Sequence, residues 1–435
     1  MTYVSTRGGA SAGFTTALFE GLAADGGLYV PEQIEPWTAS ELARLPQRSL
    51  TEIGLRTLRP FSRGAVDPAT LEAVVVEALN FPVPLVQIEP GVFVLELFHG
   101  PTLAFKDVGA RVMARLMAAL HERDEPLTIL TATSGDTGSA VAHAFHHVPG
   151  TQVVILYPDG RVSPTQEAQL TMFNGDRTNV RAYAVSGTFD DCHRLAREAF
   201  ADAALRRRVP LTSANSVNIG RLLPQMIYYF HAVAQFESLH ESRSEASPPR
   251  LNCATPSGNF GNLTAGLFAR RSGLSIDKFV AATNVNDVVP AFLATGEFRP
   301  RASQTTLANA MDVGHPSNFD RMLWLYKGSV EAMRRDLVGV RCTDDEVRRT
   351  IREVFERAGY VLDPHSAIGY RGLKDTFGSG MFLGTAHPAK FSEIVEPIVG
   401  RKIDRPPALA AALSRSRHVV KIDATYEAVR DVLAR

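Results

Sequence analysis

The 435-residue chain has no formal net charge at pH 7, and 45% of its residues are hydrophobic while 21% are charged. This composition is typical of a large globular protein, and the balanced charge excludes both the strongly basic surface of a nucleic-acid-binding protein and a long acidic tail. The three cysteines lie far apart in the sequence, which argues against a disulfide scaffold and favours a reducing compartment.

The sequence also lacks the features of a secreted or membrane protein. No apolar run approaches the roughly 18 residues that a membrane-spanning helix needs. Residues 1–9 do not show the basic and then apolar pattern of a secretory signal. We therefore expect a cytoplasmic metabolic enzyme.

Residues 1–85 are predicted to form a small leading region. A glycine turn at 25–27 precedes the apolar segment 28–31. Helical periodicity is visible around residues 39–45 and 68–79.

From about residue 90, apolar strands and patterned helices alternate. The predicted strands cover residues 92–98, 127–133, 152–157, 180–185, 251–255, 279–283 and 381–385. The predicted helices cover residues 107–121, 140–147, 189–203, 222–230, 262–271 and 346–358. The Ser-, Glu- and Pro-rich stretch 241–249 is predicted to be an exposed loop. This alternation favours an α/β fold of two open parallel units, with ligands in a cleft at the carboxyl ends of the strands.

Two glycine-rich turns share one design. Residues 134–138 read Ser-Gly-Asp-Thr-Gly and residues 257–262 read Ser-Gly-Asn-Phe-Gly-Asn, and each follows a strand and opens a helix. Glycine lets several backbone N–H groups point at one spot, and a helix start adds partial positive charge, so each turn can bind an anion. Many strand–helix connections need glycine for the backbone alone, which leaves a purely structural role open. Neither turn matches a mononucleotide P-loop or a dinucleotide fingerprint, so ATP and NAD are not expected.

A third polar turn, at 213–221, precedes the apolar helix predicted at 222–230. Its polar members include Asn215, Ser216, Asn218 and Arg221. Asn and Ser are favoured helix caps, whereas Arg221 can make charge-assisted bonds to a phosphate. Composition leaves these two interpretations equally open.

Lys106 follows the apolar run 103–105, with Gly100 and Pro101 just upstream. Burial lowers the pKa of a lysine and makes its amine nucleophilic, so that it can form a Schiff base. The alternative is that Lys106 pairs with Asp107 or caps a helix, and the pattern by itself favours that structural role.

His143, His146 and His147 have helical spacings that can bind a metal ion. The sequence places no carboxylate or cysteine beside them. We therefore predict a surface helix end here, and no metal site.

Several segments resemble motifs of the threonine synthase family. Residues 97–107 are similar to the family's pyridoxal-phosphate lysine motif, residues 131–138 to its Ser-Gly-Asp-Thr-Gly turn, and residues 256–262 to its cofactor-phosphate loop. Further similar segments are residues 5–8, 25–31, 281–287, 309–313 and 384–391. The matches run in order over nearly the whole chain.

The resemblance implies fold type II of the pyridoxal-phosphate enzymes, the tryptophan-synthase-β-like architecture, with an added N-terminal domain. We accordingly expect an N-terminal threonine-synthase domain at 1–85 and a catalytic region at 86–435. The expected parts of the catalytic region are a smaller α/β subdomain at about 110–215, a larger one formed by 86–109 and 216–400, and a C-terminal tail at 401–435.

The resemblance also implies the site residues. Lys106 is expected to form the Schiff base with pyridoxal phosphate. Thr385 is expected to donate a hydrogen bond to the pyridine nitrogen, although without the resemblance it would be taken for a plain strand residue. The residues expected to hold the cofactor phosphate are Gly258, Asn259, Phe260, Gly261 and Asn262.

The substrate is expected to lie on the other two turns. The candidates for its carboxylate are Ser134, Asp136 and Thr137, and those for its phosphate are Asn215, Ser216, Asn218 and Arg221. Asp136 poses a problem, because it would repel a substrate carboxylate. Its side chain is an alternative candidate for capping the helix or orienting another group.

The activity that the resemblance implies is the last step of threonine biosynthesis, in which O-phospho-L-homoserine and water give L-threonine and phosphate by γ-elimination and β-addition of water. Lys106 would serve as the mobile base. The nearest alternative is another fold type II lyase, such as a threonine or serine dehydratase or an amino-acid phospho-lyase, which shares the lysine and the glycine turns. A catalytically silent cofactor-binding regulator is disfavoured because Lys106 is present. Either a monomer or a homodimer is compatible with the sequence.

Overall fold

The computed structural model describes the chain apart from residues 10, 123, 134, 175–177, 242–249, 416–417 and 435. The strands among the described residues are β1 (Thr2–Ser5), β2 (Ser11–Gly13), β3 (Tyr29–Pro31), β4 (Leu85–Glu89), β5 (Val92–Glu96), β6 (Leu127–Ala132), β7 (Thr151–Pro158), β8 (Val180–Val185), β9 (Leu211–Ser213), β10 (Cys253–Pro256), β11 (Phe279–Thr283), β12 (Leu337–Arg341), β13 (Gly380–Gly384) and β14 (Val420–Ile422).

The α-helices of the same residues are α1 (Phe14–Glu20), α2 (Ala39–Ala43), α3 (Leu50–Ser62), α4 (Pro68–Ala78), α5 (Lys106–Leu120), α6 (Asp136–Phe145), α7 (Pro164–Thr171), α8 (Phe189–Ala201), α9 (Ala203–Arg208), α10 (Ile219–Leu222), α11 (Met226–Glu241), α12 (Gly261–Arg271), α13 (Val288–Thr295), α14 (Phe319–Leu325), α15 (Val330–Asp336), α16 (Asp344–Ala358), α17 (Pro364–Thr376), α18 (Ser392–Val399), α19 (Pro407–Ser414) and α20 (Tyr426–Leu433). Short 3₁₀ helices cover Leu45–Gln47, Leu223–Gln225, Asn309–Met311 and Pro388–Phe391.

These strands form one antiparallel sheet and two larger, mainly parallel sheets. β1 pairs with β2 and β3 near the start of the chain. The second sheet has the order β12-β11-β10-β13-β5-β4, in which only β4 and β5 are antiparallel neighbours. The third sheet, in the order β14-β8-β7-β6-β9, is parallel throughout. The two larger sheets correspond to the open α/β units expected from the sequence.

Most predicted elements are present, with ends shifted by a few residues. β8 and β11 begin and end at the predicted residues. α6 begins at Asp136, before the predicted start at residue 140, because Gly138 does not interrupt it. A Cβ at Gly138 would lie 2.5 Å from side-chain atoms of both Leu170 and Thr133. The glycine therefore allows close packing between α6 and its neighbours.

The helix predicted at 222–230 belongs to a longer helical run. α10 leads into the 3₁₀ turn Leu223–Gln225, which contains Pro224, and α11 then continues to Glu241. Proline cannot donate a helical hydrogen bond, which accounts for the tighter turn at this point. Most of the exposed loop predicted at 241–249 lies outside the described residues.

The leading region shares its core with the rest of the molecule. Tyr3, Phe14 and Trp37 belong to the same cluster of buried side chains as Met113 and Phe230. The Trp37 ring stacks on Phe230 with 4.4 Å between centroids. Residues 1–85 are thus packed directly on the catalytic region.

The segment predicted as a C-terminal tail contributes to the third sheet. β14 pairs in parallel with β8. Val429 and Leu433 of α20 pack in one cluster with Cys192 and Leu195 of α8. Residues 420–433 therefore join the smaller α/β unit, while the predicted domain boundaries stay a prediction.

In the described part of the chain, no helix combines the length and apolar character needed to cross a bilayer. The described His, Cys, Asp and Glu side chains also form no group that could hold a metal ion. His143 and His146 pack against the Phe173 ring, at centroid distances of 5.2 and 4.0 Å. His147 is exposed just beyond the end of α6.

Candidate active site

Lys106 is the first residue of α5 and ends the loop that follows β5. The loop turns at Leu103, whose φ of 57° lies in the left-handed region that non-glycine residues rarely adopt. Two backbone hydrogen bonds hold the loop. Phe105 N–H donates to the Thr385 carbonyl at 2.9 Å, and His387 N–H donates to the Leu103 carbonyl at 3.0 Å. The predicted cofactor lysine and Thr385 are therefore brought together.

Asp107 stabilises this loop by accepting hydrogen bonds from Thr102. Its carboxylate accepts hydrogen bonds from Thr102 N–H at 2.9 Å and from Thr102 Oγ1 at 2.7 Å. A Cβ at Gly100 would lie 2.5 Å from the same carboxylate, so the loop needs glycine there. Burial raises the pKa of Asp107 to about 6, although the bonds from Thr102 act to lower it. Asp107 thus binds Thr102, and the pairing with Lys106 that the sequence left open is not found.

The Lys106 side chain is largely buried, with 14% of its surface exposed. Burial lowers the pKa of its amine to about 8, against the opposing charge of Asp136. The positive charges of Lys390 and Arg221 lower this pKa further, whereas Asp363 raises it. An amine with a pKa near neutrality is partly deprotonated at physiological pH, so it can act as a nucleophile and as a base.

Asp136 begins α6 and directs its carboxylate toward two lysines. Oδ2 lies 3.8 Å from Lys106 Nζ, and Oδ1 lies 2.7 Å from Lys390 Nζ. Burial acts to raise the pKa of Asp136, but the ammonium groups of Lys390 and Lys106 hold it below its usual value. The Asp136 carboxylate therefore stays charged, and the buried Lys390 ammonium group balances its charge. This arrangement fits the orienting role left open by the sequence better than contact with a substrate carboxylate.

The rest of the 134–138 turn wraps around the start of α6. Thr133 Oγ1 accepts hydrogen bonds from Gly135 N–H at 3.0 Å and from Gly138 N–H at 2.9 Å. Thr137 is partly exposed in the first helical turn. Ser134, predicted to contact the substrate carboxylate, lies outside the described residues.

Lys390 is a site residue that the sequence interpretation missed. Its side chain is fully buried, and its amine donates to the Thr102 carbonyl at 2.9 Å as well as pairing with Asp136. The 384–391 motif contained it, but a lysine beside Pro388 and Phe391 shows no partner in the sequence. Its function depends on the distant residues that the fold brings to it.

The 257–262 loop presents backbone donors. Phe260 has a left-handed φ of 59°. A Cβ at Gly258 would lie 2.6 Å from Met311 Cα, so only glycine fits that position without displacing the chain. Within the described part of the protein, the N–H groups of Gly258, Asn259, Phe260 and Gly261 donate to no acceptor. Such a set of free amides at the start of α12 suits a phosphate group.

The asparagine side chains of this loop have structural partners. Asn262 Oδ1 accepts from Ser257 Oγ at 2.6 Å, and its Nδ2 donates to the Pro256 carbonyl at 2.9 Å. Asn259 Nδ2 donates to Ser216 Oγ at 2.6 Å. These side chains shape the loop, and the backbone is left to bind an anion.

Asn218 is the cap of α10. Its Oδ1 accepts from Gly220 N–H at 2.9 Å, while its Nδ2 donates to the carbonyls of Leu18 at 2.8 Å and Ser213 at 3.1 Å. The side chain is fully buried. The described hydrogen bonds of Asn218 serve the cap and the contact with the leading region, which favours the structural interpretation that the sequence left open, while its contact with the substrate phosphate stays a prediction.

Arg221 and Asn215 each have a buried polar atom that makes no hydrogen bond in the described structure. Arg221 donates to the Ala214 carbonyl at 2.6 Å, but its buried Nε has no hydrogen-bond partner in the described structure. The buried Oδ1 of Asn215 also lacks one. Burial lowers the pKa of Arg221 to about 10, so it remains charged at neutral pH. These two side chains keep hydrogen-bonding capacity that the described protein does not use, and the neighbouring Ser216 contacts Asn259.

A buried network that was also missed connects Thr385 to the 257–262 loop. Asp363 accepts from the Ser366 hydroxyl, and that hydroxyl oxygen accepts from Thr385 N–H at 3.1 Å. Asp363 also pairs with His365 Nδ1 at 2.7 Å, and His365 Nε2 accepts from Ala310 N–H at 3.3 Å. Ala310 precedes the residue that packs on Gly258. In the sequence these residues indicate only a helix start, since Asp363 caps α17.

Comparison with known proteins agrees with this geometry. Residues 76–421 match the family model described as pyridoxal-phosphate dependent enzyme. Residues 2–79 match the model described as threonine synthase N terminus. These two matches together span most of the chain.

Individual relatives give the same result. A threonine synthase of Escherichia coli strain K12 is 43% identical over 424 residues, which are 97% of this chain and 96% of that protein. One from Haemophilus influenzae is 46% identical over 400 residues, covering 91% and 90%. The crystal structure of pyridoxal-phosphate-bound threonine synthase from Brucella melitensis has a TM-score of 0.92 at 36% identity, covering 100% of this chain and 99% of that one. The expected fold and cofactor class are confirmed, and the chain belongs to the threonine synthase family of pyridoxal-phosphate dependent enzymes.

Proposed function

We propose that this lyase of the threonine synthase family converts O-phospho-L-homoserine and water into L-threonine and phosphate. The observation that carries the proposal is a buried lysine of low pKa in a loop bonded to Thr385, together with free backbone amides at the start of a helix that the buried Asp363 network connects to Thr385. Lys106 supplies the amine, and the 257–262 loop supplies the amides. A phosphorylated aldehyde cofactor needs both kinds of group.

The residues present fit pyridoxal phosphate. Lys106 would bind its aldehyde carbon, the amides of residues 258–261 its phosphate, and Thr385 its ring nitrogen. When bound, the cofactor supplies an electron sink that stabilises carbanions next to the substrate's amino group. The protein contributes the placement of these groups and a buried environment.

Lys106 would also move protons once a substrate amine has displaced it. Its Nζ, with a pKa of about 8 in the protein, can take the proton from the substrate α carbon, and once it has passed that proton to another atom of the bound substrate and cofactor it can take the proton from the β carbon. Asp136 lies 3.8 Å away and can orient the amine without contacting substrate. Burial of the site limits the access of water to these steps.

The substrate's own charges would be met by two further turns. The guanidinium of Arg221, whose Nε has no partner in the described structure, suits the γ-phosphate, because a buried guanidinium donates charge-assisted hydrogen bonds to phosphate. Asn215 would donate to the same phosphate through Nδ2, since its Oδ1 can only accept. We infer that the first turn of α6, with Thr137, binds the carboxylate, and Ser134 stays a sequence prediction for the same role. The substrate then spans from the start of α6 to the 213–221 turn.

The redox state of the cysteines supports a cytoplasmic location. Cys192, Cys253 and Cys342 are free thiols and buried. Burial raises the pKa of each to about 12, which keeps them protonated and unreactive. Free buried thiols are typical of a reducing compartment.

Product analysis tests the proposed reaction. The purified protein with pyridoxal phosphate should release phosphate and threonine in equal amounts from O-phospho-L-homoserine. Lys106→Ala should abolish both, while Lys402→Gln, at a lysine whose side chain is 93% exposed, should not. Release of a keto acid and ammonia would contradict the proposal and favour a dehydratase.

A further inference from the structure

Lys390 is a second lysine beside Lys106, and the reaction assigned to Lys106 leaves it without a role. Taking an ammonium group out of water costs several kcal/mol, so a buried lysine needs good partners. Lys390 has the Asp136 carboxylate at 2.7 Å and the Thr102 carbonyl at 2.9 Å. Both partners lie next to the Lys106 loop or its amine.

Through these two partners, Lys390 is connected to the Lys106 amine and to the chain segment next to the Lys106 backbone. Asp136 lies between the two amines, closer to Lys390 than to Lys106, whose Nζ is 3.8 Å away. Thr102 donates twice to Asp107, the residue that follows Lys106 in the chain. One partner of Lys390 thus bonds to the residue that follows Lys106, and the other lies beside the Lys106 amine.

We propose that Lys390 is a positioning residue, which binds the Asp136 carboxylate and keeps it from closing from 3.8 Å into a direct, hydrogen-bonded pair with the Lys106 amine. The inference rests on the proposed function, in which Lys106 is the reactive amine. A direct pair would hold that amine protonated, and a protonated amine is neither a nucleophile nor a base. Lys390 lies closer to Asp136 than Lys106 does. Asp136 is thus near enough to orient the Lys106 amine, but it does not hold a proton on that amine.

The charges around Lys106 predict whether each substitution raises or lowers the pKa of its amine. Asp136 and Asp363 favour its protonated form, whereas Lys390 and Arg221 oppose it. Removing Lys390 takes away one opposing charge and frees Asp136 to approach Lys106. Both changes raise the pKa of Lys106. Removing the carboxylate of Asp136 has the opposite effect.

The test measures the protonation of Lys106 in the full-length protein before cofactor is added. Competitive acetylation at a series of pH values, read by mass spectrometry of the peptide containing Lys106, gives the pKa of that amine. We expect Lys390→Gln to raise it by about one unit or more, and Asp136→Asn to lower it by a similar amount. Lys402→Gln is the matched control, since it removes an exposed lysine charge, and it should leave the value unchanged.

An unchanged or lowered pKa of Lys106 in folded Lys390→Gln would overturn the proposal. A merely structural Lys390 would change the melting temperature without moving this pKa. If Lys390→Gln does not fold, Lys390→Arg and Asp136→Asn decide the matter. Arginine keeps the charge, so the pKa should stay within about half a unit of the wild-type value, and a failure of Asp136→Asn to lower it contradicts the proposal.

The labelling experiment does not depend on turnover. If the protein released no threonine, the proposed function would fail while the coupling between Lys390 and Lys106 could still be measured. Conversely, normal turnover with an unchanged Lys106 pKa in Lys390→Gln would remove only the positioning role.

Discussion

A side chain whose hydrogen bonds are all made inside the protein has little left to offer a ligand. This separates the polar residues of the 213–221 turn, which look alike in the sequence. Asn218 is committed to the α10 cap and to Leu18, while Arg221 and Asn215 keep buried atoms without partners. An unpaired buried polar atom costs about 1–3 kcal/mol. A ligand that pairs with these atoms recovers that free energy on binding.

Substitutions at Arg221 and Asn218 should therefore have different effects. Arg221→Gln should raise the KM for O-phospho-L-homoserine about 10- to 100-fold, because a hydrogen bond to a charged group contributes about 1.5–3 kcal/mol. Asn218→Ala should leave KM nearly unchanged and lower the free energy of unfolding by about 1–2 kcal/mol through loss of the cap. Steady-state kinetics and denaturant unfolding of both variants measure this. A larger KM effect at Asn218 than at Arg221 would refute the assignment.

The family resemblance pointed to Lys106, Thr385 and the glycine turns because short motifs carry them, whereas the local pattern alone favoured structural roles for Lys106 and Thr385. The sequence could not identify Lys390 or assign Asp136, since their roles arise from an ion pair between residues far apart in the chain. It also left Asn218 ambiguous, because asparagine is both a helix cap and a hydrogen-bond donor to anions. Only the fold decides which of those uses is made.

At the scale of elements, both functional loops contain a strained non-glycine residue. Leu103 in the Lys106 loop and Phe260 in the 257–262 loop have positive φ angles. Such a conformation costs on the order of 1–3 kcal/mol and persists only where surrounding contacts enforce it. Here the contacts come from the segment after β13 and from residues 310–311. The loops are thus held in shape before any ligand binds.

Gly258→Ala tests this close fit. The added Cβ would lie 2.6 Å from Met311 Cα, a backbone contact that the loop can relieve only by moving. We expect the affinity for pyridoxal phosphate to fall at least about tenfold, equivalent to about 1.4 kcal/mol. Gly13→Ala is the matched control, since a Cβ there meets nothing within 4 Å and its φ is −76°. Equal cofactor affinity of the two variants in a titration would count against the loop as the phosphate site.

The ends of elements were harder to predict than their existence. Gly138 looked like a break before a helix, yet it lies within α6 because the packing against Leu170 leaves no room for a side chain. β14 is only three residues long, and its pairing with β8 depends on contacts that local pattern does not reveal. Tertiary packing determined both features.

At the scale of the whole molecule, the leading region is built into the catalytic region. Trp37 stacks on Phe230, and the buried Arg321 donates to the carbonyls of Tyr29 and Val217 at 3.0 and 2.7 Å. Arg321 thus links the leading region to the 213–221 turn of the site. The strand alternation predicted two α/β units, but it could not show that residues 1–85 share their core.

Trp37→Ala should therefore destabilise the whole protein. Its side chain is 5% exposed, and truncating a buried aromatic residue costs about 3–5 kcal/mol. The unfolding midpoint should be lower than that of the wild-type protein. Circular dichroism and the loss of cofactor absorbance should give the same midpoint. A leading region that melts separately, with the cofactor still bound, would contradict the shared core.

The proposed chemistry depends on a bond between the Lys106 amine and the aldehyde carbon of the cofactor. Borohydride reduction of the holoenzyme, followed by peptide mass spectrometry, is the measurement that decides this, because reduction fixes the cofactor permanently to the lysine that holds it. We predict a phosphopyridoxyl group on Lys106 and none on Lys390. Finding the group on Lys390 or on any other lysine would contradict the claim.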